Sequence, residues 1–508
     1  MRGSATLAIA LTVACGGNDA PPGDTIDAPP GPGEIDATPP DAAPPSAFCQ
    51  PIAPPSGQSF YVAPAPTGSD GNDGSQAAPW ATIDHAIDTV PDGSAILVQP
   101  GTYNGRVHLD RTFAQGIVVR SEVPYRAKLR AIGTVVSSYY GQGISLEGFD
   151  IAHDGPGGAL VIQIQDLLDD PGSGEIVSRI AIRNNILHDS FDNDILKINN
   201  GAAMITVEGN VFYNQSGSDE HIDINSVTDV VVRGNVFFND FAGSGRVNNN
   251  DTSSYIVIKD SNGTGDAVLG SRRITVERNV FLHWEGSTGS NFVLIGEDGT
   301  ANFEADGVLV ENNLFLGDSS NTIRAAFGVK GSRDVTFRNN TVSGDLSSLA
   351  YAMRLNREGA NPQLEAIHFY NNVWADPTAT MDDFSDTPPA DIASFSLATN
   401  LYWNAGTPIP SDAGELVNVD DDATAVLGDP MLPSLAGLID LPRWDEASGT
   451  FGGGGASTCD VLERLATAYG TPAAGSAAID AADPANAPAY DLLGRPRSAP
   501  DIGAIEAD

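Results

Sequence analysis

The chain has 508 residues, with 66 Asp or Glu against 26 Lys or Arg, and a formal charge of −40. That balance excludes nucleic acid and anionic lipid headgroups as direct partners, since both would repel it.

Residues 1–15 read as a targeting segment. Arg2 is a minimal basic region, and the apolar run from Ala5 to Ala14 is too short to span a bilayer. The end of the run, L-T-V-A-C-G, resembles a bacterial lipoprotein signal with Cys15 as the acylated residue, although Leu11 sits one position early and Thr12 stands where Leu is usual. The resemblance implies an exported protein held at the cell surface or outer membrane by an N-terminal lipid, its one contact with a membrane. Ordinary cleavage would instead leave a secreted protein. Residues 16–57 are rich in Pro, Ala, Asp and Gly. They have almost nothing to bury, so a disordered or polyproline tether is expected.

Residues 58–110 read as a cap followed by the first coil. Phe60-Tyr61-Val62 is a short strand. The loop G-S-D-G-N-D-G-S offers Asp70, Asn72 and Asp73, and reads as a Gly/Asp turn rather than a calcium loop. Thr82 to Val90 places Ile83, Ala86, Ile87 and Val90 on one helical face, which predicts a capping helix. The strand from Ala95 to Val98 follows, then P-G-T-Y. This run resembles the opening of extracellular right-handed β-helix proteins.

A short phrase ending in Asn then recurs. It is I-A-I-R-N-N-I-L at Asn185, I-T-V-E-G-N-V-F at Asn210 and V-V-V-R-G-N-V-F at Asn235, with returns at Asn279, Asn313, Asn340 and Asn372. The steps are 25, 25, 44, 34, 27 and 32 residues. A fixed minimum period with insertions marks a solenoid. Ile205 and Val207 alternate with Thr206 and Glu208, a period of two, so the unit is a strand. Each Asn falls at a bend and is expected to join a hydrogen-bonded ladder, because buried amides need partners. Further short strands follow, such as Ile222 to Ile224 and Tyr255 to Ile258. Together these features predict an all-β, single-stranded, right-handed parallel β-helix over 58–400 with an N-terminal capping helix. Residues 401–508 are expected to form an irregular closing segment of the same domain, and a monomer is expected. Insertions at 240–254, 262–272 and 296–307 are rich in Gly, Asn, Ser and Asp, and read as surface loops.

Coil-like spacings gather chemistry between 185 and 259. Asp194 precedes Asp219 by 25 residues, Asp219, Glu220 and Asp223 share the next coil, and Lys259 follows Asp219 by 40. With coils about 4.8 Å apart these side chains can converge on the outer face. Clustered carboxylates repel unless a cation sits among them, and an oxygen-only set favours Ca²⁺. His188 and His221 lack the close partners a zinc site needs. An acidic protein that handles an acidic polysaccharide needs such a bridging metal or a local basic patch. Residues 321–360 supply a patch, with Arg324, Lys330, Arg333, Arg338, Arg354 and Arg357 against three acidic residues.

The carboxylate and lysine stretch resembles the active site of the family 9 polysaccharide lyases, calcium-dependent pectate lyases built on right-handed β-helices. Asp219, Glu220 and Asp223 match the family's D-D-x-x-D spacing, Lys259 matches its catalytic lysine and Asp194 approximates the acid of the preceding coil, with Asp192 as the alternative. Glu220 replaces an Asp, and His221 stands where Gly is usual. The resemblance implies Ca²⁺ on Asp194, Asp219, Glu220 and Asp223, and β-elimination on an acidic, uronate-containing polysaccharide with Lys259 as base. A cation beside Lys259 is expected to lower its pKa. Arg324, Lys330 and Arg354 are expected to grip further uronate carboxylates. The other readings are a glycoside hydrolase or epimerase on the same fold, and a non-catalytic glycan-binding or adhesive β-helix. Cys49 and Cys459 are a possible disulfide in an exported protein, which requires the C-terminal segment to run back toward the start of the solenoid.

Overall fold

Each occurrence of the repeated phrase ends a strand and forces a corner. The residue before the Asn has a left-handed backbone every time: Asn184 (φ 51°), Gly209 (68°), Gly234 (64°), Arg278 (55°), Asn312 (54°), Asn339 (49°) and Asn371 (55°). Gly and Asn tolerate that region best, which explains why the phrase reads G-N or N-N at six of its seven sites. The computed structural model describes residues 50–167, 176–261, 263, 268–318, 321–435 and 439–507. The targeting segment with Cys15, most of the tether, and Cys49 lie outside the described residues.

The corners divide each coil into three short strands. In one coil these are Ser178–Arg183, Ile186–His188 and Leu196–Asn199, and the next begins at Ala203–Glu208. Stacked coils give three long parallel sheets, of 12, 12 and 10 strands among the described residues. This is the expected right-handed parallel β-helix. Inward-facing Ile, Val and Phe form one continuous core. Phe212, Phe237, Phe281 and Phe315 stack along it with ring centroids 4.9, 4.9 and 4.6 Å apart.

The Asn column is a ladder. Asn210 Oδ1 accepts from Asn185 N at 2.9 Å and from Asn185 Nδ2 at 3.1 Å, and the pattern repeats coil by coil. It runs one coil beyond the seven residues of the phrase, to Asn400, where Asp422 Oδ2 ends it by accepting from Asn400 N and Nδ2. A second column closes the strands of the first sheet. Arg120, Glu147, Arg183, Glu208, Arg233 and Glu277 face one another in order and alternate in sign. Shifting one coil against its neighbour would break both columns, so each helps to fix register.

The helix Ile83–Thr89 covers the open first coil, capped by Thr82 and buried through Ile83, Ala86 and Ile87. Asp70 accepts from the backbone of Ala81 and Thr82, and Asp73 from Ser75, so their loop is a turn built on its own carboxylates. Residues 50–57, expected as the end of the tether, are hydrogen-bonded to the first sheet: Ile52 N donates to Glu147 and Ile52 O accepts from Arg120. The coils also continue past residue 400, through Leu401–Asn404 and Val426–Leu427. The closing segment contains a 13-residue helix, Thr458–Gly470, which packs its buried Val461, Leu462 and Leu465 over the second sheet. That segment does reach the first coils, where Tyr125 Oη accepts from Thr458 N at 3.0 Å and Glu446 pairs with Lys128. Cys459 is disulfide-bonded.

Candidate functional site

The candidate site lies on the third sheet. Asp194 ends the turn before Leu196–Asn199. One coil later, Glu220 opens the strand Glu220–Asn225 and Asp223 is its fourth residue. Asp194 Oδ1 accepts from Glu220 N at 2.9 Å, which ties the two coils together at this point. Each of Asp194, Glu220 and Asp223 offers an oxygen within 4.8 Å of the others. All three are buried, at 1%, 3% and 1% exposure. Asp219 is half-buried and lies outside this trio. Asp192 is not among the three either, so the preceding coil contributes Asp194.

Burial is the main cause of unusual acidity here. It raises Asp194 to about 7, with the Asp223 carboxylate adding to the effect and Lys197 opposing it. It raises Asp219 to about 6, against the pull of Lys197. Burial also holds Glu220 well above the carboxylate range, reinforced by Asp194 and Glu297. A polyvalent cation would relieve all three. One atom points the same way. Asp223 Oδ2 faces two ammonium groups, whereas Asp223 Oδ1 is buried with no hydrogen-bond partner. Three buried carboxylates with an unpartnered oxygen fit a hard, oxygen-seeking cation such as Ca²⁺.

Two lysines complete the cluster, and the sequence reading found one of them. Lys259 Nζ lies 3.7 Å from Asp223 Oδ2, 2.5 Å from Glu297 Oε2 and 3.7 Å from Asp298 Oδ2. Burial would lower its pKa, but Asp223 and Glu297 outweigh burial and hold the ammonium above its ordinary range. The carboxylates around Lys259 thus work against the lowering expected from a cation beside it. The second lysine is Lys197, which faces Asp223 in register. Its Nζ donates to Asp223 Oδ2 and lies 3.6 Å from Asp194 Oδ2. The signal for it was present: Lys197 is one coil before Asp223 and three residues after Asp194. Glu297 and Asp298 come from the insertion after Gly286–Ile295, whose path no periodicity fixes.

The basic residues of 321–360 divide between two sheets. Arg333 and Arg338 lie on the first sheet, paired with Asp306 and Glu311. Arg357 pairs with Asp391. Lys330 and Arg354 lie on the third sheet with the acid cluster, and Arg324 immediately precedes it. Lys330 pairs with Glu358, while Arg324 and Arg354 both meet Asp386. The patch is thus ion-paired throughout rather than a free positive surface. His221 is fully buried among Phe212, Phe237 and Tyr255, where burial pushes it down to about 3. His188 bridges Asp150 and Asp189. Neither histidine joins the cluster.

A family model described as a protein of unknown function (DUF1565) matches residues 66–124. No curated protein matches the chain by sequence. Among solved structures, a rhamnogalacturonan lyase is similar over 80% of this chain and 98% of its own, at 14% identity and a TM-score of 0.47. XylC with bound xylose is similar over 88% and 98%, at 13% identity and a TM-score of 0.48. The pectate lyase Pel9A is similar over 89% of this chain and 96% of its own, at 16% identity and a TM-score of 0.50. At that identity the likeness is one of fold, and by fold this chain resembles the parallel β-helix pectate lyase Pel9A.

Proposed function

We propose that this protein is a carbohydrate-active enzyme that cleaves an acidic, uronate-containing polysaccharide by β-elimination, using a calcium site and a lysine base. One observation carries the reading. Successive coils bring Asp194, Glu220, Asp223 and Lys259 together on one outer face, with Asp223 Oδ1 buried and unpartnered. A structural cation site has no need of Lys259 beside it. The pectate lyase chemistry named for Pel9A fits the same residues.

Asp194, Glu220 and Asp223 would hold Ca²⁺, with Asp219 at the rim. Bound there, the ion would supply positive charge for a substrate carboxylate and for the enolate that develops from it. Lys259 would take the C5 proton, which is α to the uronate carboxylate. The electron pair left on C5 forms the C4–C5 double bond as the C4–O bond breaks, and the leaving oxygen takes a proton from solvent. For that step Lys259 must first be neutral, and the Glu297 carboxylate held against it opposes that loss of its proton. Arg324 and Arg354 would bind further carboxylates along the polymer by charge-assisted hydrogen bonds. Export with a lipid on Cys15 is part of the same proposal.

The test is the ultraviolet absorbance of the unsaturated product on polygalacturonate, with and without Ca²⁺, for the wild type and Lys259→Ala. Calcium-dependent product that vanishes in the variant is the expected result. Lys259 held as an ammonium by Glu297 and Asp298 favours one other reading, a non-catalytic glycan-binding protein. Retention on immobilised polysaccharide, with no product from polygalacturonate, alginate or glycosaminoglycans, would select it.

A further inference from the structure

The carboxylate cluster already contains an ammonium. Lys197 stands on the strand Leu196–Asn199 and faces Asp223 of the next coil in register. Its Nζ donates to Asp223 Oδ2 and lies 3.6 Å from Asp194 Oδ2. Two of the three carboxylates that offer oxygens to a cation are therefore engaged by a charge belonging to the chain itself.

The pairing is not needed to fix the register. Leu196, Ile198 and Asn199 continue the same parallel ladder against Ile222, Ile224 and Asn225, and the Asn column fixes the stacking of these coils independently. Nor does it satisfy the carboxylates, since Asp223 Oδ1 stays without a partner. What Lys197 supplies is charge. Buried carboxylates this close need a counter-charge, and a lysine carries one on a flexible four-carbon stem. Its side chain keeps 22% exposure, whereas those of Asp194 and Asp223 keep 2% each, so the ammonium has a way out to solvent and the carboxylates do not.

We propose that Lys197 is a tethered competitor of the divalent cation. In the cation-free protein its ammonium neutralises Asp194 and Asp223, and on cation binding it leaves Asp223 and moves outward on the face of the third sheet. This rests on the cation reading of the cluster given above. It goes further by making cation affinity an exchange of one charge for another, so that the site keeps its shape when empty and binds more weakly than three free carboxylates would.

The test is calcium titration calorimetry on the full chain, wild type and Lys197→Met, combined with lysine acetylation of the wild type read by mass spectrometry. The variant should bind Ca²⁺ roughly tenfold more tightly or better, since the ion no longer has to displace an ammonium from Asp223 and Asp194. In the wild type, acetylation of Lys197 should rise as calcium is added, half-maximally where binding is half-saturated. Equal affinities in the two proteins, or Lys197 labelling unmoved at saturation, would overturn the proposal while leaving the cation site intact. If neither protein binds calcium, the cation reading falls and this inference falls with it. Should Lys197→Met fail to fold, labelling of the wild type decides alone.

Discussion

Lys259 ends the strand Thr252–Lys259, Glu297 lies in the loop after the neighbouring strand Gly286–Ile295, and Lys259 Nζ donates to Glu297 Oε2 at 2.5 Å. The contact depends on a sharp exit from the strand Gly286–Ile295. Gly296 has φ +84°, and a Cβ there would lie 1.9 Å from Lys330 O, so only glycine lets the chain pass. The loop that follows is folded on buried Glu304, which accepts from Glu297 N at 2.6 Å and Asp298 N at 2.9 Å. A rigid loop thus holds a carboxylate against the proposed base and opposes loss of its proton. Glu297→Gln removes that charge and must lower the pKa of Lys259. The rising limb of kcat/KM against pH on polygalacturonate is expected to move to lower pH by about one unit or more. A limb that stays in place would remove Lys259 as the titrating base.

Arg354 lies four coils beyond Asp223 in register, through Val257, Leu294 and Gly328. That is roughly 19 Å at the spacing of parallel strands. It is too far to touch the reacting sugar and suits a distant subsite. Arg354 and Arg324 share Asp386, which stands where a bound carboxylate would. Asp386→Asn is therefore expected to lower KM severalfold with kcat unchanged. Arg354→Ala is expected to raise KM about tenfold, the scale of one charge-assisted hydrogen bond. A loss in kcat at constant KM would instead place Arg354 at the reacting centre.

The sequence was legible wherever a period governed it. The Asn phrase fixes the fold because a buried amide in a ladder and a left-handed residue before it can be satisfied together by few residue types. The 25-residue step then places Asp194 one coil from Asp219, and a step of 26 residues takes Lys197 to Asp223. Lys197 lies outside the D-D-x-x-D spacing, so only the register of adjacent coils points to it. Glu297 and Asp298 were not legible, since a 34-residue step between Asn279 and Asn313 says that a loop is inserted and nothing about where it turns. The helix Thr458–Gly470 was missed for a related reason. It stands outside the repeat, and its apolar residues are spaced to meet the outer face of the second sheet, a surface that exists only once the coils are stacked.

The Asn ladder makes a stability prediction. Asn279 Oδ1 accepts from Asn235 N at 2.9 Å and Asn235 Nδ2 at 3.0 Å, and Asn279 Nδ2 donates to Val232 O. Asn279 is fully buried. Asn279→Ala leaves these groups unpaired in the interior, at a cost of about 2–4 kcal/mol. Urea unfolding should show the loss as a lower midpoint. Arg273→Ala is the control, because its pair with Asp229 is exposed, at 61% and 41%. It should change stability by about 0.5 kcal/mol or less. Equal effects from the two variants would mean that the ladder is not what fixes the coils.

The carboxylate cluster makes the cation-free protein sensitive to pH in an unusual direction. Most native carboxylates have lowered pKa values and lose stability in acid. Here burial, with Asp223 beside it, raises Asp194 from 3.8 to about 7, and burial raises Asp219 to about 6. A carboxyl whose pKa is raised on folding contributes stability at low pH that is lost as pH rises through the folded value. In the presence of chelator, Tm should therefore fall between about pH 4 and 7. Saturating Ca²⁺ should abolish or reverse that fall, since the ion favours the ionised carboxylates. His188, raised to about 9 by Asp189 and Asp150 against the opposing effect of burial, also loses stability with rising pH, but from about 6.5 upward. Asp194→Asn separates the two effects. It should shrink the fall below pH 7 in chelator to the part due to Asp219 and Glu220, and leave the loss above it. A wild type whose Tm does not change across the lower range, with or without calcium, would show that the cluster ionises freely, and the physical case for a resident cation would go with it.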